Sequence, residues 1–163
     1  MSRTNRLGVL LNETDGRRKS WSDPELHTLG SVGDMLTPEE WAERYRQCWE
    51  AADATAVREL FTSDATYRSD IFAEPHRGRD GIEAYWRNVT EPQTNVSVRM
   101  GRPIVGDQRV AVEWWTQMDV DGEPSTVPGC LLLRFDDDGL CTELEEYFRY
   151  TPGREEPPAN WGL

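Results

Sequence analysis

The chain has 163 residues, enough for one domain with a sizeable core, and a formal net charge of −12 from 30 acidic and 18 basic residues. This acidic balance, with no cluster of lysine and arginine among aromatic residues, argues against nucleic-acid partners and anionic membrane surfaces. No apolar run approaches the roughly 20 residues that cross a bilayer. The three cysteines are expected to be free thiols of a reducing cytosol, so we expect a cytoplasmic protein.

Residues 1–35 are polar and contain glycine, and their hydrophobic residues show no sustained period. The basic start is followed by an apolar run that is too short for a secretory signal. Isolated anchors such as Trp21 and Leu26 are unfavourable when exposed. We therefore predict an N-terminal extension that docks on the domain or on a dimer partner, and the sequence leaves open whether it covers a pocket or exchanges between subunits.

The folded domain is predicted to span residues 36–150 and to begin with a helix. Thr37 is placed as the N-cap, Pro38 as the first helical residue, and Glu40 as the residue that closes a capping box. Apolar residues then recur at helical spacing and predict one buried stripe: Trp41, Tyr45, Cys48, Trp49 and Ala52.

Two further helices and a strand are predicted before residue 90. A short helix with Val57, Leu60 and Phe61 facing inward leads into the strand "ATYRSDIF". The segment "GRDGIEAYWRNV" predicts a third helix with Asp80 as its cap. The buried side of that helix is expected to carry Ile82, Tyr85, Trp86 and Val89.

The second half of the chain changes to a strand period. The runs "NVSVRM", "RVAVEWWTQMDV", "TVPGCLLLRF" and "LCTELEEYFRY" are separated by the turn sequences "GD", "DGEP" and "DDDG". Helices followed by an antiparallel meander indicate an α+β fold, with the helices packed on one face of a curved sheet. Residues 151–163 are predicted to form a C-terminal tail.

The cysteine usage does not indicate a metal site or a disulfide framework. Cys48, Cys130 and Cys141 are an odd number, lack CxxC spacing and lie among apolar neighbours. They are predicted to be free buried thiols, and we expect neither a metal nor a cofactor.

Four stretches resemble the nuclear transport factor 2-like superfamily, in its SnoaL-like and ketosteroid-isomerase-like branch. They are "RYRQCWEAADATAVRELFTSDATYRSD", "EPHRGRDGIEAYW", "VAVEWWTQMDVDG" and "DDDGLCTELEEYFRY". The resemblance covers residues 36–150. It implies a cone-shaped, strongly bent antiparallel sheet around about three N-terminal helices, a cystatin-like α+β barrel with a deep apolar pocket, and a homodimer through the outer sheet face.

Two branches of this superfamily can be compared residue by residue. In the ketosteroid isomerases the oxyanion tyrosine corresponds to Tyr45, but the two catalytic aspartates correspond to Ser69 and Leu131, so steroid isomerisation is not expected. The limonene epoxide hydrolases are similar in a different way. Their catalytic aspartate corresponds to Glu146 and their water-positioning residues to Tyr67 and Ser69, whereas Val112 and Trp114 stand where they have an arginine and a second aspartate.

The segment "ELEEYFRY" contains two adjacent glutamates whose side chains must point to opposite faces of a strand. The register implied by the resemblance turns Glu145 outward and Glu146 into the pocket. A carboxyl group among apolar side chains has a raised pKa, which makes Glu146 a candidate acid or base near neutral pH. The alternative is that Glu146 only fixes the core through a hydrogen bond.

The predicted site combines these residues. Glu146, Tyr45 and Tyr67 are the candidate catalytic residues. The substrate-binding residues are predicted to be Ser69, Trp49, Trp86, Trp114, Thr116, Leu131, Leu144 and Phe148. Glu113, Asp70 and His76 are expected to lie on the surface or at the rim. We expect an isomerase, cyclase, dehydratase or hydrolase acting on a small, mostly apolar substrate, with a non-catalytic ligand-binding or dimer-scaffold protein as the alternative.

Overall fold

The structure is a computed structural model that describes residues 35–163. The predicted extension, with Trp21 and Leu26, lies outside these residues except for Met35. The described elements are α1 (Pro38–Glu50), α2 (Ala54–Arg58), β1 (Phe61–Arg68), β2 (His76–Arg77), α3 (Gly78–Thr90), β3 (Gln93–Met100), β4 (Ile104–Val105), β5 (Val110–Val120), β6 (Glu123–Phe135), β7 (Cys141–Phe148) and β8 (Thr151–Pro152). The predicted α+β class is confirmed.

Helix α1 begins at the predicted capping box. The Thr37 hydroxyl accepts a hydrogen bond from the Glu40 N–H at 3.2 Å, and the Glu40 carboxylate accepts one from the Thr37 N–H at 2.9 Å. The helix ends at Glu50, so Ala52 is not part of its buried stripe as predicted. Ala52 is exposed and has a φ of 50°, because the chain turns there towards α2.

The boundaries of β1 and α3 differ from the predicted ones. Strand β1 begins at Phe61, which was expected in the second helix, and ends at Arg68, because the Asp70 carboxylate accepts a hydrogen bond from the Phe72 N–H in a turn. Helix α3 begins at Gly78 with Arg77 as its N-cap, so the prediction of Asp80 as the cap was wrong. Asp80 lies in the first turn and pairs with Arg58 at 3.0 Å.

The eight strands form one open curved sheet in the order β2-β1-β7-β6-β5-β3, with β4 on β5 and β8 on β6. Strands β3, β5, β6 and β7 pair in antiparallel fashion, as predicted, but β1 pairs with β7 in parallel. The two strands of this parallel pair are separated along the chain by α3 and the whole meander. The hairpin between β5 and β6 turns at Asp121 and Gly122, both with positive φ.

The core lies between α1, α3 and the concave face of the sheet. Its fully buried side chains include Trp41, Phe61, Ile82, Leu131 and Leu133. The three cysteines carry free thiols; Cys48 and Cys141 are buried and Cys130 is half-buried. Within residues 35–163 no helix is long and apolar enough to cross a membrane.

The C-terminal segment packs on the convex face of the sheet. After β8, the carbonyl of Glu155 accepts hydrogen bonds from the Trp115 indole at 2.9 Å and from Gln117 at 2.8 Å. The carbonyl of Gly162 accepts one from the Arg102 N–H at 2.9 Å. Trp161 contacts Trp115 edge to face, with ring centroids 6.1 Å apart. The segment thus covers the outer side of β3 and β5.

Candidate active site

A cavity of about 280 Å³ opens between the helices and the concave face of the sheet. Eight of the sixteen residues that line it are aromatic. Helix α1 contributes Tyr45 and Trp49, and α3 contributes Tyr85 and Trp86. The other four are Tyr67 on β1, Trp114 on β5, Phe148 on β7, and Tyr150 between β7 and β8. The volume is that of a small organic molecule.

Glu146 enters the cavity from β7. The pairing of β7 with β6 is continuous from Gly129↔Phe148 to Arg134↔Glu143 and places Glu146 opposite Leu131. With no bulge in this stretch, alternation turns Leu144 and Glu146 inward. The side chain of Glu146 is 8% exposed. Among the described residues that line the cavity, Glu146 alone carries a formal charge.

Two tyrosines connect to Glu146 through a chain of hydrogen bonds. The Tyr67 hydroxyl donates to the Glu146 carboxylate at 2.9 Å. The hydroxyls of Tyr45 and Tyr67 are 2.8 Å apart. Because the single Tyr67 proton is used towards Glu146, Tyr45 is the donor to Tyr67. The structure therefore brings together the three candidate catalytic residues, which come from α1, β1 and β7.

Burial controls the pKa values in this chain of hydrogen bonds. It raises the pKa of Glu146 to about 7, and the hydrogen bond from Tyr67 opposes the rise. Burial and the charge of Glu146 raise the pKa values of Tyr45 and Tyr67 well above 10. Near neutral pH both tyrosines are thus hydroxyl donors, whereas Glu146 is present both as acid and as carboxylate.

Tyr85 is a site residue that the sequence reasoning missed. It lines the cavity beside Tyr67, with ring centroids 5.1 Å apart, and burial together with the charge of Glu146 raises its pKa. The available signal was a tyrosine on the apolar stripe of α3, which predicts only burial. His76 stacks on Tyr85 at 4.3 Å and is not among the lining residues. Burial lowers the pKa of His76.

The tryptophans form the walls of the cavity. Trp49 and Trp114 meet at 67° with centroids 4.9 Å apart, and Trp86 meets Tyr45 at 87° and 5.1 Å. The Trp49 indole donates to Gln93 at 2.9 Å. Trp114 lies over Gly129 of β6, where a Cβ atom would come within 2.4 Å of the indole ring.

The other predicted substrate-binding residues occupy three different places. Phe148 lines the mouth of the cavity and is 51% exposed. Ser69 lines an adjacent cleft that also reaches Glu146. Thr116, Leu131 and Leu144 face inward but do not line the cavity, since packed neighbours bury all three completely.

The residues expected at the surface or rim are outside the cavity. Glu113 is exposed on β5, with its strand partner Cys130 half-buried. Asp70 belongs to the turn that ends β1 and lines the adjacent cleft with Ser69. Glu145 faces away from Glu146 and pairs with Arg109 at 3.5 Å. The two adjacent glutamates therefore have different surroundings.

Solved structures of the same fold include three distant ones. A protein of Catenulispora acidiphila with a ketosteroid isomerase-like fold, in complex with trimethylamine, is 23% identical over 68% of this chain and 86% of its own, with a TM-score of 0.61. The epoxide hydrolase/cyclase-like enzyme SalBIII, which has a role in pyran ring formation in salinomycin, is 18% identical over 68% and 89%, with a TM-score of 0.60. RV0760c from Mycobacterium tuberculosis is 17% identical over 69% and 93%, with a TM-score of 0.61.

These identities establish the fold and not the activity. No curated protein matches the sequence. The sequence model of the SnoaL-like domain family, however, matches residues 42–144, which is most of the described chain. By this match and by its fold, the chain belongs to the SnoaL-like domain family of the nuclear transport factor 2-like superfamily.

Proposed function

We propose that this protein is an acid–base enzyme that moves a proton on a small, mostly apolar substrate, using Glu146 and no cofactor. The observation that carries the proposal is the carboxyl group of Glu146, buried in an aromatic cavity and hydrogen-bonded at 2.9 Å by Tyr67. A buried carboxyl group with a pKa of about 7 exchanges protons readily at neutral pH.

Proton transfer next to a carbonyl group is the first reaction that this site suits. The Glu146 carboxylate takes a proton from the carbon beside the carbonyl. The electron pair of the broken C–H bond forms a C–C double bond, and the carbonyl oxygen becomes an enolate oxygen. Where the substrate has a C–C double bond next to that carbon, the protonated Glu146 returns the proton to the far carbon of the double bond; the carbonyl re-forms, the double bond moves one position towards it, and the product is an isomer. Tyr67 holds the carboxylate in place, and Tyr45 acts through Tyr67 as a positioning residue.

Addition of an oxygen nucleophile to an epoxide is the second reaction. Glu146 takes the proton of a water molecule or of a substrate hydroxyl while that oxygen attacks an epoxide carbon. The C–O bond of the ring breaks, and the resulting alkoxide receives the proton from Glu146. One fold neighbour is an epoxide hydrolase/cyclase-like enzyme, which supports this as a candidate reaction.

A second polar group beside Glu146 favours catalysis over simple ligand binding. Tyr67 lines the same cavity and donates to the carboxylate, so the acid is held in one orientation. The cavity also contains the Tyr85 side chain, whose hydroxyl can donate to an oxygen that becomes negative during the reaction. An acid–base catalyst requires both features, a carboxyl group held in one orientation and a pKa close to neutral pH.

Two model substrates test the proposal directly. Exchange of the α-protons of 2-tetralone in D₂O, followed by proton NMR, measures proton transfer next to a carbonyl. Hydrolysis of styrene oxide to its diol measures water addition. We expect at least one of these reactions to be accelerated, and Glu146→Gln to reduce the acceleration by about 100-fold or more, since the amide cannot take up a proton.

Glu145→Gln is the matched control, because it makes the same change one residue earlier on the outer face. This variant should retain the activity of the unchanged protein. Retained activity in Glu146→Gln would remove Glu146 from the mechanism. Absence of both reactions in the folded protein would argue for the binding alternative.

A further inference from the structure

The charge of Glu146 has no counter-ion in the described part of the chain. Arginine and lysine side chains are absent from the described residues that line the cavity, and none of the ion pairs among residues 35–163 includes Glu146. Its hydrogen-bond partner, Tyr67, is a neutral donor. Buried carboxylates are normally paired with a positive charge, because desolvation makes an unpaired charge costly. In this cavity a bound molecule can supply the missing charge.

The walls of the cavity provide the other half of a cation site. Aromatic rings attract a positive charge to their faces, with the strongest effect for tryptophan. Three tryptophans line the cavity, and neighbouring rings stand at steep angles: 67° for Trp49 and Trp114, 72° for Trp49 and Trp86. These pairs pack edge to face, and all three residues line the same cavity, so a group bound there lies next to several aromatic rings.

We propose that this cavity binds an organic ammonium cation with an apolar body, with Glu146 as the counter-ion and the aromatic rings as the cage. An anion would face Glu146 without a compensating positive group, whereas a neutral molecule would bind without the attraction that a cation gains from the carboxylate. The volume of about 280 Å³ accommodates a small organic amine. The inference rests on the proposed function in that it names a substrate class for the same site.

A pair of molecules with the same shape and different charge isolates the effect. Choline and 3,3-dimethylbutan-1-ol differ only in the quaternary nitrogen, which is a carbon atom in the alcohol. Binding of each is measured by isothermal titration calorimetry at about pH 8.5. We expect choline to bind at least about tenfold more tightly than the alcohol. Equal or weaker binding of choline would overturn the inference.

The pH dependence of choline binding identifies the counter-ion, because choline itself does not titrate. The titratable groups around Glu146 include Tyr67 on β1, Tyr45 on α1 and Tyr85 on α3, all with a pKa above 10. Tyr150, after β7, lines the same cavity, and Asp70, after β1, lines the adjacent cleft that reaches Glu146. The ionised fraction of Glu146 rises about 30-fold from about pH 5.5 to about pH 8.5 for a pKa of about 7. Choline affinity should rise by up to that factor, and affinity for the alcohol should not change.

Three variants complete the test. Glu146→Gln should reduce choline affinity to that of the alcohol, and Glu145→Gln should leave it unchanged. His76→Asn removes the one histidine of residues 35–163, and the pH dependence should persist in this variant. Phe148→Leu at the exposed mouth should weaken choline binding several-fold more than binding of the alcohol.

The results separate this inference from the proposed function. Preferential choline binding without exchange of 2-tetralone protons or hydrolysis of styrene oxide leaves the cation site standing and contradicts the enzyme proposal. Either reaction, together with equal binding of choline and the alcohol, supports the enzyme and contradicts the cation site.

Discussion

Glu145 and Glu146 are adjacent in sequence and differ in every physical respect that bears on reactivity. Glu145 is half-buried and pairs with Arg109 on the convex face, so its charge is compensated. Glu146 is buried in the aromatic cavity, and within residues 35–163 its one side-chain hydrogen bond comes from the Tyr67 hydroxyl. The alternation of one strand thus produces a solvated structural carboxylate and an isolated titratable one.

The chain of hydrogen bonds makes a prediction at the scale of one residue. Tyr67→Phe removes the donor that holds the pKa of Glu146 down, so that pKa should rise by about 1 to 2 above its value of about 7. Carbon-13 NMR titration of glutamate-labelled protein measures the change, with Glu146→Gln used to assign the resonance.

Tyr45→Phe is the control for this titration. The Tyr45 hydroxyl donates to Tyr67 and not to Glu146, so its removal should raise the pKa of Glu146 by much less. Equal effects of the two variants would contradict the order of donors in the chain of hydrogen bonds.

The sequence predicted individual site residues better than the contacts between them. Alternation along β7 and the family register together turned Glu146 inward, and the structure places it there. The hydrogen bond between Tyr45 and Tyr67 joins residues that are 22 positions apart on different elements. A local sequence pattern cannot predict a contact over that separation. Tyr85 was missed for a similar reason, because a tyrosine on a helical stripe looks the same whether it fills the core or lines a cavity.

At the scale of the element, β6 has a residue without a side chain, Gly129, where the Trp114 ring of the cavity wall lies over the strand. Gly129 pairs with Trp114 on one side and Phe148 on the other. Gly129→Ala would place a Cβ atom 2.4 Å from the Trp114 ring. We expect a loss of about 1–3 kcal/mol in the free energy of unfolding, because the ring must shift in a packed site. Urea unfolding measures it.

Gly81→Ala gives the matched control in α3. Apart from the neighbouring backbone of its own helix, the described atom nearest to the added Cβ is the His76 carbonyl carbon at 3.8 Å, an ordinary contact distance. Alanine favours a helix interior over glycine by about 0.5–1 kcal/mol. This variant should be slightly stabilised. A loss of stability in Gly81→Ala comparable to that in Gly129→Ala would show that the Trp114 contact is not the cause.

Element types were predictable wherever local chemistry decides them. The capping box of α1 and the positive-φ turn at Gly122 are both visible in the sequence. Element boundaries that side-chain contacts set could not be predicted in this way. One example is the end of β1 before Ser69, where a turn closed by the Asp70 carboxylate follows. The parallel pairing of β1 with β7 joins strands on either side of the meander, which a period of two residues cannot indicate.

At the scale of the whole molecule, the chain's own C-terminal segment occupies part of the convex sheet face. Glu155 and Trp161 cover Trp115 and Gln117 on β5. We propose that the homodimer expected from the family resemblance uses the remaining part of that face, on β6 and β7, where Cys130, Leu132 and Tyr147 are at least partly exposed. Sedimentation velocity of the protein measures whether it self-associates.

The free energy of unfolding of the whole molecule should depend on pH, because the buried carboxyl group of Glu146 is costly to ionise. The pKa of Glu146 is about 7 in the folded protein and 4.5 as an unperturbed group. A folded-state pKa above the unfolded value means that the folded protein holds the proton longer, so stability falls as pH rises from 4.5 to 7. The difference corresponds to about 3 kcal/mol as an upper estimate.

Comparison with Glu146→Gln isolates this contribution from the other titrating groups. Hydrogen bonds with Arg46 lower the pKa of Glu43 to about 2, so the titration of Glu43 changes the stability in the opposite direction and at lower pH. His76 titrates in both proteins and therefore cancels in the comparison. Urea unfolding at about pH 5 and about pH 8 should show the variant gaining stability over the unchanged protein, by up to about 3 kcal/mol between the two conditions. Parallel pH profiles would mean that Glu146 reaches water in the folded protein, and the isolated carboxylate on which both proposals depend would then not exist.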